Sequence, residues 1–356
     1  MSDHVRSALV RIVEGGSLTV EEARLAMGAV MDGEATPSQL AALLMGLRMR
    51  GETVEELAGF ASAMRERVLR VEAPAGTIDV VGTGGDGSNT FNISTTAALI
   101  VAATGVPVAK HGNRAITSKS GSADVLDALG IRIDHDAESA GQALRDHGFA
   151  FLFAPAFHPA MRHAGPTRRE IGVRTAFNLV GPLTNPAGAT RALIGVGDEM
   201  VAPRIAEVAR ILGTERTLVV HGKGVDELPL DGTGVIYDVT PGGISMRRVD
   251  PAAHGLRPAK TSALRGADPA GNAALVEGVL RGEPGARRDV ALLNAGAALV
   301  AAGTVETIDE GIERAELTVD AGLASELLRA LRAERKAADS ARAAAERAAS
   351  AGGAKP

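Results

Sequence analysis

The feature that most narrows the fold is an abrupt change of texture near Gly76. Downstream of it, short β-branched or aromatic runs at 77–81, 106–109, 150–153, 193–196 and 217–220 alternate with helical stretches at 94–104, 122–129 and 201–212. Strands that alternate with helices need crossover connections, which produce a mainly parallel sheet flanked by helices with ligand-holding loops at the strand carboxyl ends. Upstream, nothing reads as a strand. Residues 17–21, Thr36-Pro37 and Thr53 offer helix starts, and Leu40, Leu43, Leu44 and Leu47 repeat at three-and-four spacing. The predicted class is therefore α/β: a large domain with a mainly parallel sheet, preceded by a small all-helical N-terminal domain. Segments 233–239 and 244–249 read as a hairpin joined at 241–243, and 269–281, 287–302 and 306–333 as helices. Residues 336–356 are rich in Ala and charge and poor in bulky apolar side chains, so a frayed helical tail, largely disordered, is expected there.

Composition decides what can fill this frame and what can bind it. With 45% apolar residues but no Trp, one Tyr and seven Phe, the core must be built from Ala, Val, Leu and Ile. The absence of Cys excludes disulfides, thiolate metal sites and a Cys nucleophile. No secretory h-region follows Met1, and the most apolar stretches fall short of the roughly 20 residues that span a bilayer, so a cytoplasmic protein without a membrane partner is expected. A net charge of −5 argues against a nucleic-acid partner. Any site for an anion must concentrate positive charge locally.

The segment GTGGDG at 82–87 is the first such place. Its Gly82-x-Gly84-x-x-Gly87 spacing satisfies the dinucleotide fingerprint literally, but that motif requires a helix opening at the loop and an acid after the second strand. Here the helix cannot begin before about Ser94, and the second strand ends in Lys110-His111. A nucleotide P-loop fails as well, because Ser88 stands where Lys is needed. What survives is a glycine loop whose N–H groups can approach an anion, followed by Asn92, Ser94 and Thr95 at a helix start that favours phosphate. An ordinary strand–helix turn would explain one Ser or Thr, not this many glycines and polar residues together.

Three further clusters follow later strands. Lys110-His111-Gly112-Asn113-Arg114 and 118–124 put three fixed cations and a second Gly/Ser-framed helix start within a few residues, which together with the first loop suggests a ligand with two phosphate groups. Between His158 and Asn178 lie Arg162, Arg168, Arg169 and Arg174. Arg suits a bidentate grip on a carboxylate, and one or two of the four are expected to pair with the scaffold instead. The histidines there are spaced unlike a zinc site. Last, Asp226-Glu227 after the strand at 217–220 offers adjacent carboxylates, which read either as a solvated acidic turn or as a hard-cation site shared with substrate phosphates.

The strings GTGGDGSNTFNIST, VAKHGNRAITSKSGSADVLDALG, FHPAMRHAGPTRREIGVRTAFNLVGPLTNP and HGKGVDE, in that order over about 10–333, resemble the anthranilate phosphoribosyltransferases of tryptophan biosynthesis. The pyrimidine nucleoside phosphorylases share the fold and a similar glycine loop, but their second motif is built differently. The resemblance implies a helical domain at 1–72 (joined by helices from about 170–190), an α/β domain at 73–335, and pairing into a homodimer through the helical part. It implies transfer of phosphoribose from phosphoribosyl pyrophosphate to the amine of anthranilate, with Mg²⁺. Carried over by position, Gly82, Gly84, Gly85, Asp86, Thr90, Asn92, Ser94, Thr95, Lys110 and Ser122 would hold phosphoribosyl pyrophosphate. Gly82, Asn113 and Arg168 would contact anthranilate, and Ser94, Asp226 and Glu227 would ligate the metal. No acid/base pair or nucleophile is expected; Lys110 and Arg168 would act by charge and positioning. The mild departures are Ile116-Thr117 and the stretch 223–225. A nucleoside phosphorylase and a non-catalytic relative remain the rival readings.

Overall fold

A computed structural model of the chain describes residues 2–115 and 120–352. Ile116-Thr117 and Ser118-Lys119, singled out above, lie outside the described residues. Four helices open the chain: α1 (Asp3–Val13), α2 (Val20–Met31), α3 (Pro37–Arg50) and α4 (Val54–Glu66). Three of the four starts are capping boxes. Thr19, Thr36 and Thr53 accept N–H bonds from Glu22, Gln39 and Glu56, whose side chains return the bond.

Among the described residues, seven strands then form one sheet. They are β1 (Ile78–Gly82), β2 (Val108–Gly112), β3 (Phe149–Phe153), β4 (Arg191–Gly195), β5 (Arg216–His221), β6 (Gly234–Thr240) and β7 (Gly243–Val249), in the order β3-β2-β1-β4-β5-β6-β7. The first five are parallel; β6 and β7 add an antiparallel hairpin. The chain moves outward from β1 through β2 to β3, then returns to the other side of β1 for β4 and β5. The sheet therefore changes direction between β1 and β4, and ligands of open parallel sheets bind in the crevice at such a switch point.

The connecting helices are α5 (Ile93–Ala103), α6 (Ser122–Ala128), α7 (Ala137–His147), α8 (Ala154–Phe157), α9 (Gly165–Ile171), α10 (Ala176–Val180) and α11 (Ala202–Ile211). They are followed by α12 (Pro269–Leu280), α13 (Ala286–Ala302), α14 (Ile308–Asp320) and α15 (Leu323–Gly352). In α5 every residue from Thr95 to Ala102 is buried, as is every residue of α13 from Val290 on. Helices apolar around their whole circumference belong in an interior, and these two pack on each other and on the sheet. On the other side, Ala176, Phe177, Val180 and Leu183 share a buried cluster with residues of α1–α4 and α11.

The structure departs from the sequence expectation in three places. The helix expected over 306–333 is two helices, broken at Gly322, whose φ of 78° the next turn could not follow. Helix α7 was not foreseen, although its N-cap Asp136 and the reciprocating Ser139 stand in the sequence. Residues 336–352, expected to be disordered, continue α15: Ala and Arg favour helix, and Arg342 pairs with Asp134 and Asp339.

Candidate active site

The glycine loop leaves β1 at Gly82, the register partner of Gly195 on β4. Both glycines are required by one neighbour. A Cβ on Gly82 would strike the Asp226 carboxylate, and a Cβ on Gly195 would strike the Asp226 carbonyl oxygen. The switch point is thus a slot between two strand ends, and the segment after β5 fills it. Asp226 Oδ2 accepts the Gly84 N–H at 2.7 Å, and the Asp226 N–H donates to Asp86 Oδ2 at 3.3 Å. Asp86 also accepts from the Ser88 N–H and hydroxyl at 3.0 and 2.8 Å, which folds the loop back on itself. Gly84, Gly85 and Gly87 all have φ between 61° and 73°, the left-handed region that a side chain would strain. At Gly85 a side chain would also meet the Arg174 guanidinium, which donates to the Thr83 carbonyl at 2.9 Å.

Glu227 reaches the start of α5, where its Oε1 accepts the Ser94 N–H at 3.1 Å. Asn92, at the N-cap, donates to the Ser120 carbonyl at 3.2 Å and accepts from Asn272 at 2.9 Å, so it ties the glycine loop to the second cluster. Ser122 donates to the Asn113 carbonyl at 3.3 Å, and Gly112 leaves no room for a side chain against Ser122. Thr90 is half-buried and bridges to Arg265 through the backbone. Thr95 is buried, its hydroxyl unpartnered among the described residues.

Lys110 lies beneath the loop. It is 2% exposed, and its ammonium donates to the Val80 carbonyl. Burial holds its pKa below the usual lysine value, while Asp79, Glu227 and Asp226 oppose that loss of charge. The acids pay the reciprocal penalty. Burial, then the Asp86 charge, pushes Asp226 up to about 6, and burial, then Asp226, lifts Glu227 well above the carboxylate range. Adjacent carboxylates of this kind, Asp226 half-buried and Glu227 buried, are hard-oxygen donors that a divalent cation would stabilise. Among the described residues no group of three or more His, Cys, Asp or Glu is placed to hold a metal. The pair therefore fits Mg²⁺ only where substrate phosphate oxygens complete the shell.

The arginine cluster sorts itself. Arg162 and Arg169 are exposed, and Arg162 donates to His163 at 3.2 Å. Arg168 lies 4.7 Å above the Phe177 ring, and burial lowers its pKa. The scaffold ion pairs expected for one or two of these four do not form among the described residues. Asn113 is exposed, its Oδ1 accepting the neighbouring Arg114 N–H at 2.8 Å, and Arg168 is half-buried. His111 and His158 are buried with ring centroids 5.1 Å apart, and burial pushes their pKa values down to about 3 and about 4. They pack as neutral rings.

Sequence reasoning missed Gly195, which read only as the end of a strand, and did not select Arg174 from its cluster. It also assigned nothing to Asp79 and Asn185. Asp79 is buried, accepting from the His111 N–H at 3.2 Å and from Asn185 Nδ2 at 2.6 Å. Burial raises its pKa from 3.8 to about 6 against the pull of Lys110. A folded pKa above the unfolded one means this stability contribution is intact below about 3.8 and lost as pH rises through about 6. Asp79→Asn cannot ionise. Its stability relative to the parent should therefore climb by about 3 kcal/mol between pH 4 and pH 7.5, measured by urea unfolding. A gap that stays flat with pH would refute the shift.

Residues 75–325 match the glycosyl transferase family, a/b domain, and residues 6–68 the glycosyl transferase family, helical bundle domain. The anthranilate phosphoribosyltransferase of Nitrobacter hamburgensis is 50% identical over 330 residues, which cover 92% of this chain and 98% of that protein. That of Xanthobacter autotrophicus is 51% identical over 317 residues, covering 89% and 92%. Among solved structures, anthranilate phosphoribosyltransferase from Thermus thermophilus superposes with a TM-score of 0.88 at 44% identity, covering 94% of this chain and all (100%) of that one. The Saccharomyces cerevisiae enzyme in complex with PRPP and Mg gives 0.87 at 26% identity, covering 95% and 99%.

Proposed function

The chain belongs to the anthranilate phosphoribosyltransferase family, and from that premise we infer that it transfers the phosphoribosyl group of 5-phosphoribosyl 1-pyrophosphate to the amine of anthranilate. The products are N-(5-phosphoribosyl)anthranilate and pyrophosphate, in tryptophan biosynthesis. One observation carries the reading in this molecule: Asp226-Glu227 is inserted between the glycine loop and the start of α5, its carboxylates accepting the Gly84 and Ser94 N–H groups, so the acids, the glycine loop and the helix start share one crevice.

The residues then divide the work. Gly82, Gly84, Gly85 and Asp86 surround the pyrophosphate and ribose. Thr90, Asn92, Ser94, Thr95 and Ser122 line the phosphate positions, and Lys110 supplies positive potential from below. Asn113 and Arg168 receive anthranilate with Gly82, Arg168 offering its guanidinium to the carboxylate. Asp226, Glu227 and the Ser94 hydroxyl would hold Mg²⁺, which, when bound, neutralises the departing pyrophosphate. The aniline nitrogen is already a neutral nucleophile, so the protein's contribution is positioning and electrostatic stabilisation rather than proton transfer. We take residues 1–72 with the helices of 170–190 as a helical domain that pairs two copies. Val13 and Met49, 84% and 83% exposed on α1 and α3, are apolar side chains that such pairing would cover. A monomer by light scattering would exclude the homodimer. A cytoplasmic setting suits these substrates, and among the described residues no helix is long and apolar enough to cross a membrane.

The test is to mix the protein with anthranilate, phosphoribosyl pyrophosphate and Mg²⁺ and follow anthranilate fluorescence, which should fall. No fall, with phosphorolysis of thymidine or uridine instead, would overturn the reading. Within it, Arg168→Ala should raise the KM for anthranilate about 10- to 100-fold, the value of a lost charge-assisted bond, and leave the KM for phosphoribosyl pyrophosphate unchanged. Unaltered anthranilate kinetics would remove Arg168 from the site.

A further inference from the structure

Helix α15 runs well past residue 325, where the family match ends, and two of its arginines, Arg332 and Arg335, reach the end of α6. Arg332 Nε donates to the Leu129 carbonyl at 2.7 Å. Arg335 Nη1 donates to the carbonyls of Asp127 and Ile131 at 2.9 and 3.2 Å, and its Nη2 pairs with Asp127 Oδ1 at 2.8 Å. Leu129 is the C-cap of α6, Asp127 lies in its last turn and Ile131 just beyond it, and arginine near a helix C-terminus adds a donor to carbonyls there while complementing the dipole.

The contact does not stop at Asp127. Its other oxygen, Oδ2, accepts from Arg114 Nη2 at 3.3 Å, and Arg114 Nη1 pairs with Asp124 Oδ1 at 2.9 Å. Asp124 Oδ2 in turn accepts the N–H groups of Ala115 and Gly121 at 2.9 and 3.0 Å. Those two residues stand at the two ends of the second loop, beside Asn113 and Ser122. A continuous run of hydrogen-bonded charges thus links Arg335, Asp127, Arg114 and Asp124 to the backbone that presents Asn113 and Ser122. Arg342 also joins α15 to the same region, but through Asp134, which is not part of that run.

We propose that Arg335 on the C-terminal helix is a positioning residue for Asn113 and Ser122, acting through Asp127, Arg114 and Asp124 on the adjoining backbone at Ala115 and Gly121. The inference rests on the transferase reading for its kinetic test, but not for its structural one. Arg335 touches no substrate. It fixes α6 from its far end and, through the shared carboxylate of Asp127, fixes the Arg114 fork on Asp124, which holds the Ala115 and Gly121 N–H groups. A purely structural helix staple would alter overall stability without favouring one kinetic constant.

The experiment compares Arg335→Ala, Arg335→Lys and Arg342→Ala. Arg335→Ala should raise the KM for phosphoribosyl pyrophosphate about three- to fivefold, the scale of one half-exposed ion pair with its backbone bonds, while kcat stays within about twofold. Arg335→Lys, which keeps the charge but not the fork, should recover part of that loss. Arg342→Ala should leave both constants at parent values. Hydrogen exchange gives the readout without substrate: the Ala115 and Gly121 amides should exchange faster in Arg335→Ala and not in Arg342→Ala. Parent-like KM and exchange in Arg335→Ala, or equal effects from Arg342→Ala, would overturn the proposal. If the parent protein itself fails to consume anthranilate, the transferase reading falls, and the exchange comparison alone still decides whether α15 holds the Ala115 and Gly121 amides.

Discussion

Lys110→Met should cost the ligand-free protein about 3–5 kcal/mol at pH 7.5 and reduce turnover by at least about 100-fold. Methionine fills nearly the same volume, so the effect is one of charge. The ammonium is buried on the Val80 carbonyl and faces Asp79, Asp226 and Glu227, all lifted in pKa by burial. Without it, the acids share a poorly solvated space with no buried cation opposite them. The deficit should shrink as pH falls from 7.5 toward 4.5, because Asp79, with a pKa of about 6, then takes up a proton and no longer needs the partner. Urea unfolding at the two pH values measures both effects. A variant within about 1 kcal/mol of the parent at pH 7.5 would mean that water, not Lys110, neutralises these acids.

Lys110 also marks the limit of what the sequence disclosed. Its presence after the second strand was legible, because β-branched runs and glycines delimit the strands and the parallel arrangement puts their ends on one edge. Its direction was not. A lysine at a strand end reads as a phosphate ligand, whereas the structure turns the side chain under β1 toward Val80, a contact set by the packing of neighbouring strands. Asp226-Glu227 was visible as an acidic pair, but the insertion of Asp226 between β1 and β4 depends on strands distant in sequence becoming neighbours. Arg174 and Asp79 stayed hidden for the same reason: their partners, Thr83 and Asn185, lie 91 and 106 residues away. The tail misled in the opposite way. Low apolar content argued for disorder, yet Ala and Arg favour helix without a core of their own, and Arg342 in the tail pairs with Asp134 beyond α6.

Gly195→Ala addresses the slot itself and should be among the most damaging single-methyl additions in this chain. Gly195 is not among the glycines with positive φ, so alanine meets no backbone strain there. What excludes it is the Asp226 carbonyl oxygen, which occupies the place of the missing Cβ. The obstacle is backbone, so rotating a side chain cannot relieve it. The segment after β5 must move away, taking with it the Asp226 carboxylate bonded to Gly84 and the Glu227 carboxylate bonded to Ser94. A shift of about 1 Å in groups that position a reacting substrate costs on the order of 100-fold in rate, so kcat should fall by about that factor. Gly242→Ala serves as the control, because a methyl there meets only Thr240 Oγ1 at an ordinary 3.6 Å. It should leave kcat unchanged. The two variants, assayed side by side with saturating substrates, separate the proposed slot from a general intolerance of added bulk. Parent-like turnover in Gly195→Ala would show that the crevice can widen without moving the carboxylates, and that their placement between β1 and β4 does not limit the reaction.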